Sequence, residues 1–243
     1  MRLKLIFKSK FLELPMDNRK YFLSFIKKSL ENMEKEQLKR YYAEGKMKDF
    51  TFSLFFPNIK YDKKRIKYES DNFIMNFSTP NGEESIYFLN SFMGMIGKEF
   101  KINDGNSITL KKLEMVKENK VVGENGEFKI LSPIIVKERL EGKNKDWYYF
   151  FQDEKWEEIL KKNMKFQLKE KFEFDPSYDI DKLKIMAKGP FTRKTVITNY
   201  GISYPVTIGT VYIEGKNYLL DYISKAGLGS KTSMGYGMIE KIN

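Results

Sequence analysis

The 243-residue chain contains no cysteine and no histidine. Those two absences exclude disulfides, thiolate and imidazole metal sites, cysteine nucleophiles and Ser-His-Asp triads. Long hydrophobic runs are missing as well. No apolar stretch reaches the ~18 residues that a membrane-spanning helix needs. The opening Met1-Arg2-Leu3-Lys4-Leu5-Ile6-Phe7-Lys8 is too short and too charged for a secretory signal. A soluble cytoplasmic protein with no membrane partner, metal or cofactor is expected.

What is present is cationic and aromatic. Forty-four Lys+Arg face 33 Asp+Glu, a formal charge of +11, while hydrophobic residues make up 41% and aromatics 15%. That much apolar content sets the chain apart from disordered sequences and supplies a sizeable core. The charge favours polyanions through long-range attraction and counterion release, although biased composition alone produces the same excess.

The hydrophobic pattern predicts a strand over 3–8, then a helix after Pro15 with Asp17 as N-cap and Tyr21, Phe22, Phe25, Ile26 and Leu30 at helical spacing. A second helical stretch through Leu38 to about Tyr42 follows, then strands at 49–56 and 73–77. A helix over 83–96 comes next, with Ile86, Phe88, Leu89, Phe92 and Met93 inward, and then a strand over 107–116. The order is β-α-β-β-α-β. The second half reads as a strand over 128–136 broken at Pro133, a helix over 153–169, strands at 183–188, 193–198 and 205–213, a helix over 217–226 and a closing strand at 236–241. This approximate repetition predicts an α+β fold of two tandem ferredoxin-like, RRM-like βαββαβ halves packed together, over 1–120 and 121–243.

The sharpest motif is Gly227-Leu228-Gly229-Ser230-Lys231-Thr232-Ser233-Met234-Gly235-Tyr236-Gly237, between the last helix and the last strand. Glycines allow close backbone approach to a ligand, and Lys231, Thr232 and Ser233 add charge and hydroxyl donors suited to phosphate. It is not a Walker A loop, because a strand follows where a helix should. A flexible loop opening a strand is the structural alternative. Gly235-Tyr236-Gly237-Met238-Ile239 also resembles the centre of an RNP1 strand, although Met234 replaces its basic lead residue.

This glycine spacing, the pattern Leu131-Ser132-Pro133-Ile134 and the 45–53 neighbourhood together resemble the Cas-six family of CRISPR-associated endoribonucleases. The resemblance runs from near residue 15 to the C-terminus. It implies tandem ferredoxin-like folds and metal-independent cleavage of CRISPR repeat RNA, with repeat RNA and other CRISPR effector subunits as partners and a monomer or homodimer as the assembly. It also implies a histidine shortly before the Phe50-Thr51-Phe52-Ser53 strand. This chain reads Tyr42-Ala43-Glu44-Gly45-Lys46 there, with Ala43 at the expected histidine. An imidazole moves protons near neutral pH and a methyl group does not. Three explanations are open: an engineered alanine, a natural member using other groups, or a register one residue off that places Tyr42 at the site. Lys48 matches a lysine near the scissile phosphate, and Lys27 or Lys28 stands where the family carries a tyrosine. Without the resemblance, each is one surface lysine among many.

In the second half, Lys184, Lys188, Arg193 and Lys194 interleave with Phe191 and Tyr200, a pattern suited to RNA backbone contact and base stacking. Lys188-Gly189-Pro190-Phe191 is expected to be the turn of the hairpin that carries them. The acidic run Asp153-Glu154, Glu157-Glu158 is expected to be a solvated helix N-terminus without chemistry. Met93 and Met95 are expected to fill the core.

Overall fold

A computed structural model describes residues 1–31, 48–62, 64–80, 82–102, 105–119, 121–140, 145–188, 192–199 and 201–242. The first part of the chain runs β1 (Arg2–Ser9), β2 (Glu13–Pro15), α1 (Arg19–Glu31), β3 (Thr51–Phe55), β4 (Lys60–Tyr61), β5 (Arg65–Lys67) and β6 (Asn72–Ser78). It continues with α2 (Gly82–Met93), β7 (Glu99–Lys101) and β8 (Ser107–Met115). Its main sheet has the antiparallel order β3-β6-β1-β8-β7, with Leu5 opposite both Met75 and Leu113. Four of these strands with α1 and α2 form a ferredoxin-like βαββαβ unit, and β2-β5-β4 make a small side sheet.

Period-two alternation explains which face of β1 packs: Leu3, Leu5 and Phe7 are fully buried, while Lys8 is exposed. They meet Phe22, Phe25 and Ile26 of α1 and Phe88 and Phe92 of α2 in one core. The Phe7 ring stacks on Phe73 at 5.3 Å and meets Phe25 edge-on at 5.0 Å. The inward set expected for α2 is narrower in the structure. Ile86 and Met93 point outward, 60% and 54% exposed, because the helix meets the core through Phe88 and Phe92, with Leu89 packed partly against it. Met95 alone of the two named methionines is buried. Helix α1 begins at Arg19, so Asn18, not Asp17, immediately precedes it.

The second part runs β9 (Asn125–Ile130), β10 (Val136–Arg139), β11 (Asp146–Tyr149), α3 (Trp156–Leu168), α4 (Ser177–Lys182), β12 (Lys184–Ala187) and β13 (Arg193–Asn199). After it come β14 (Ile202–Ile208), β15 (Thr210–Glu214), α5 (Asn217–Ala226), a 3-10 turn (Thr232–Met234) and β16 (Ile239–Lys241). The sheet order β12-β15-β9-β16 repeats the ferredoxin-like topology, with α3 and α5 packing Trp156, Ile159, Leu160, Leu219, Leu220 and Ile223 into a second core. Two ribbons stand apart from this sheet, β10-β11 and β13-β14. The basic hairpin is therefore β13-β14, turning near Gly201. The segment 188–191 instead joins strands that do not pair, since β12 pairs with β15.

Candidate functional site

The glycine loop follows α5 and is closed by backbone bonds on all sides. The N–H of Leu228 donates to the Gly237 carbonyl at 2.8 Å, that of Ser230 to Ile135 at 2.7 Å, and that of Gly237 to Pro133 at 2.8 Å. The Ser132 hydroxyl accepts from the Met238 N–H at 2.9 Å, and the Gln167 amide donates to the Gly229 carbonyl at 2.9 Å. The Leu131-to-Ile134 segment and the loop are thus one interlocked unit. Gly229 and Gly235 hold φ of 92° and 85°, and an added Cβ would lie 2.5 Å from the Ile135 carbonyl oxygen and 2.5 Å from the Phe52 ring. At both positions the lack of a side chain lets protein approach protein. With those amides engaged internally, the most accessible part of the motif is its crest, Lys231-Thr232-Ser233 followed by Met234, each half-buried.

The loop is pinned to the first half from below. Arg19 of α1 donates from Nε to the Gly235 carbonyl at 3.0 Å and lays its guanidinium over the Tyr236 ring at 4.5 Å. The Thr51 hydroxyl of β3 donates to the Tyr236 carbonyl at 2.7 Å. Burial lowers the Arg19 pKa and raises that of the Tyr236 phenol. Tyr236 is only 1% exposed, so it is not the open stacking platform that an RNP1 strand would present. Its ring packs with the buried Tyr204 in a small third core.

Beside this junction lies a small cavity of about 20 Å³, lined among others by Lys48, Asp49, Gln167, Tyr222, Gly227 and Thr232. Burial, then the charge of Lys27, holds the Lys48 ammonium below the ordinary lysine pKa. The fold thus brings Lys48, Lys27 and the start of the glycine loop into one neighbourhood. Lys28 points elsewhere and pairs with Glu31 at 3.2 Å. Asp49 holds Lys171 at 2.6 Å across the halves, and burial followed by Asp49 raises the Tyr222 phenol pKa. Tyr42 and Ala43 lie outside the described residues.

Of the cationic residues expected in the second half, Lys194 lies 3.8 Å from the Phe150 ring centroid, and Lys188 pairs with Glu127 at 2.6 Å. Arg193 lies on β13 opposite Ile208, whereas Phe191 and Tyr200 fall outside the described residues. Glu157 and Glu158 occupy the first turn of α3, and Asp153 accepts from the Phe150 N–H at 2.9 Å. Among the described residues no group of three acidic side chains could hold a metal ion, and no helix is long and apolar enough to cross a membrane. Sequence reasoning missed Arg19, Lys137, Tyr148 and Tyr204. None sits in a local motif, and each reaches the loop only through long-range packing.

The loop and the strand it closes fall within residues 116–241, which match the family described as CRISPR associated protein Cas6, C-terminal. The chain belongs to the Cas6 family. The match covers just over half of the sequence and includes both interlocked motifs. Among solved structures, a Cas6-related protein from Pyrococcus furiosus superposes with a TM-score of 0.86 at 22% identity, over 100% of this chain and 98% of that one. A RAMP protein described as binding different RNA substrates gives 0.84 at 21%, over the whole of both chains. A Cas6 product complex gives 0.71 at 13%, again over the whole of both chains. At these identities the likeness establishes the fold. Comparison with curated proteins finds no sequence match.

Proposed function

We propose that this Cas6-family chain binds CRISPR repeat RNA and that the neighbourhood of Lys48 and the glycine crest is where precursor CRISPR RNA is cut. The observation that carries this reading is the shared cavity of Lys48, Gly227 and Thr232, which joins the family-matched loop to the segment leading into β3. In the reaction, the upstream 2′-OH attacks the adjacent phosphorus and the 5′-oxygen leaves. The products are a 2′,3′-cyclic phosphate and a 5′-OH end. One group takes the 2′-OH proton and one returns a proton to the leaving oxygen; no metal is required. Lys48 stabilises the charge that develops on the phosphorane. The crest residues Thr232 and Ser233 contact phosphate, with Lys194, Arg193 and Lys188 extending the cationic surface. Gly227, Gly229, Ser230 and Gly235 hold the crest in shape.

Ala43 supplies no proton-transfer group, so this chain binds repeat RNA and cuts it slowly or not at all. A second reading, a catalytically silent CRISPR RNA-binding subunit of an effector complex, is favoured by the absence of histidine from all 243 residues. Binding to repeat RNA and to a shuffled RNA of equal length, at matched salt, tests the feature common to both readings. A clear preference for the repeat is expected; equal affinity for the two would overturn both.

A further inference from the structure

The β10-β11 ribbon is a part of the molecule that the cleavage reading leaves unused, yet it reaches the glycine loop through one side chain. Lys231 sits at φ 60°, one of two non-glycine residues with positive φ among those described. Glycine would satisfy that backbone at less cost, and the same loop already uses glycine at 227, 229, 235 and 237. The chain nonetheless places a lysine at this left-handed position, which opens the 3-10 turn, and its side chain makes specific contacts. That side chain lies over the stacked pair Tyr148 and Tyr204, whose centroids are 4.4 Å apart. Its Nζ is 4.6 Å from the Tyr204 centroid and 3.3 Å from the Tyr148 hydroxyl.

Tyr148 is opposite Lys137 in the ribbon register, and Arg139 is opposite Asp146, so Lys137, Arg139, Asp146 and Tyr148 share a ribbon face by alternation. Lys137 reaches Asp146 at 3.1 Å. Lys137 and Lys231 thus both lie within reach of the one carboxylate, with Arg139 opposite it in register. Burial first, then the charge of Lys137, lowers the Lys231 pKa, with Asp146 acting the other way. The next residue, Thr232, lines the Lys48 cavity instead. The crest is a ridge with one side chain directed to each slope.

We infer that Lys231, Lys137 and Arg139, set on the Tyr148–Tyr204 platform, form a second subsite for the RNA ribose-phosphate backbone, separate from the cleavage pocket and gripping a phosphate distant from the scissile one. The inference rests on the RNA-binding reading above and extends the footprint onto a ribbon that no sequence motif marks. An RNA strand that meets both subsites straddles the ridge, with the crest fixing its register.

The test is the salt dependence of affinity, measured on repeat RNA and on shuffled RNA for the wild type, Lys231→Gly, Lys137→Gln and the double variant. Lys231→Gly removes the cation while suiting the backbone, and Lys137→Gln changes a half-exposed strand position, so both variants keep the fold. Lys60→Gln, a 75%-exposed lysine side chain on β4, serves as the control for net charge. Removing one phosphate-binding cation should reduce the slope of log K against log salt by about 0.7–0.9, and the double variant should show about twice that reduction. Slopes equal to wild type, or an equal reduction from Lys60→Gln, would overturn the subsite. Loss of preference for the repeat with the slope changes intact would overturn the functional reading alone. A wild-type protein that binds neither RNA would overturn both.

Discussion

Arg19 and Tyr236 join the two halves of the molecule: the guanidinium lies 4.5 Å from the ring centroid while its Nε donates to the adjoining Gly235 carbonyl at 3.0 Å. The two residues come from the start of α1 and from the turn before β16. Their contact fixes the height of the glycine crest above β3 and hence above Lys48. Position in a ferredoxin-like unit is set by the sheet, but the distance between two such units is set by contacts of this kind. Arg2 of β1 adds another, donating to the Ser224 carbonyl at 2.8 Å.

Arg19→Ala should destabilise the protein by about 2–4 kcal/mol, combining a desolvated cation–π contact with a charged hydrogen bond to a buried carbonyl. Arg19→Lys should recover little, because the flat fork both covers the ring and reaches the carbonyl. Urea denaturation of the three proteins measures this. A change below about 0.5 kcal/mol for Arg19→Ala would mean that the contact contributes nothing to joining the halves.

Gly229→Val and Gly235→Val should fail as folding variants before they fail as RNA-binding variants. Each imposes a β-branched residue at positive φ and drives Cβ to 2.5 Å from protein atoms. Gly201→Ala, also at positive φ but with nothing within 4 Å, should cost about 1 kcal/mol. Thermal melts rank the three. A folded Gly229→Val protein with normal stability and abolished RNA affinity would return the glycines themselves to the contact surface.

The core was legible where period alone decides it. Phe22, Phe25, Ile26 and Leu30 recur at helical spacing, and all four are buried. The doubled βαββαβ order was legible because each half carries its own apolar strands and amphipathic helices. Ile86 and Met93 misled because a helix can carry more apolar arc than its sheet covers. The hairpin was misplaced because Lys188-Gly189-Pro190 has turn chemistry, while the strands flanking it pair with other strands. Arg19 was illegible in principle: its carbonyl partner is 216 residues away, and no local pattern distinguishes it from a surface arginine.

Alkaline pH should weaken the fold through Tyr148. Burial, then Asp146, then Tyr204 raise its phenol from 10.0 to about 12. The folded protein therefore keeps that proton when the unfolded chain has begun to release it. Stability from this group is complete below pH 10 and falls as pH rises towards 12. Tyr148→Phe keeps the stack on Tyr204 and removes the titration. Urea midpoints at several pH values above 9 should fall less steeply for Tyr148→Phe than for wild type. Parallel curves would place no proton at this phenol.

On the proposed reading, the repeat-RNA cleavage site lacks the proton-transfer group expected at position 43. Single-turnover cleavage of repeat RNA in EDTA by the chain as it stands and by Ala43→His tests this directly. The Ala43 protein should bind the RNA and cut it slowly or not at all. Ala43→His should cut about 100-fold faster or more, as general acid–base catalysis commonly supplies, leaving a 2′,3′-cyclic phosphate. Lys48→Ala should then slow the histidine form. An Ala43→His protein that binds repeat RNA and remains inert, or an Ala43 protein that already cuts as fast as the histidine form, would contradict that reading.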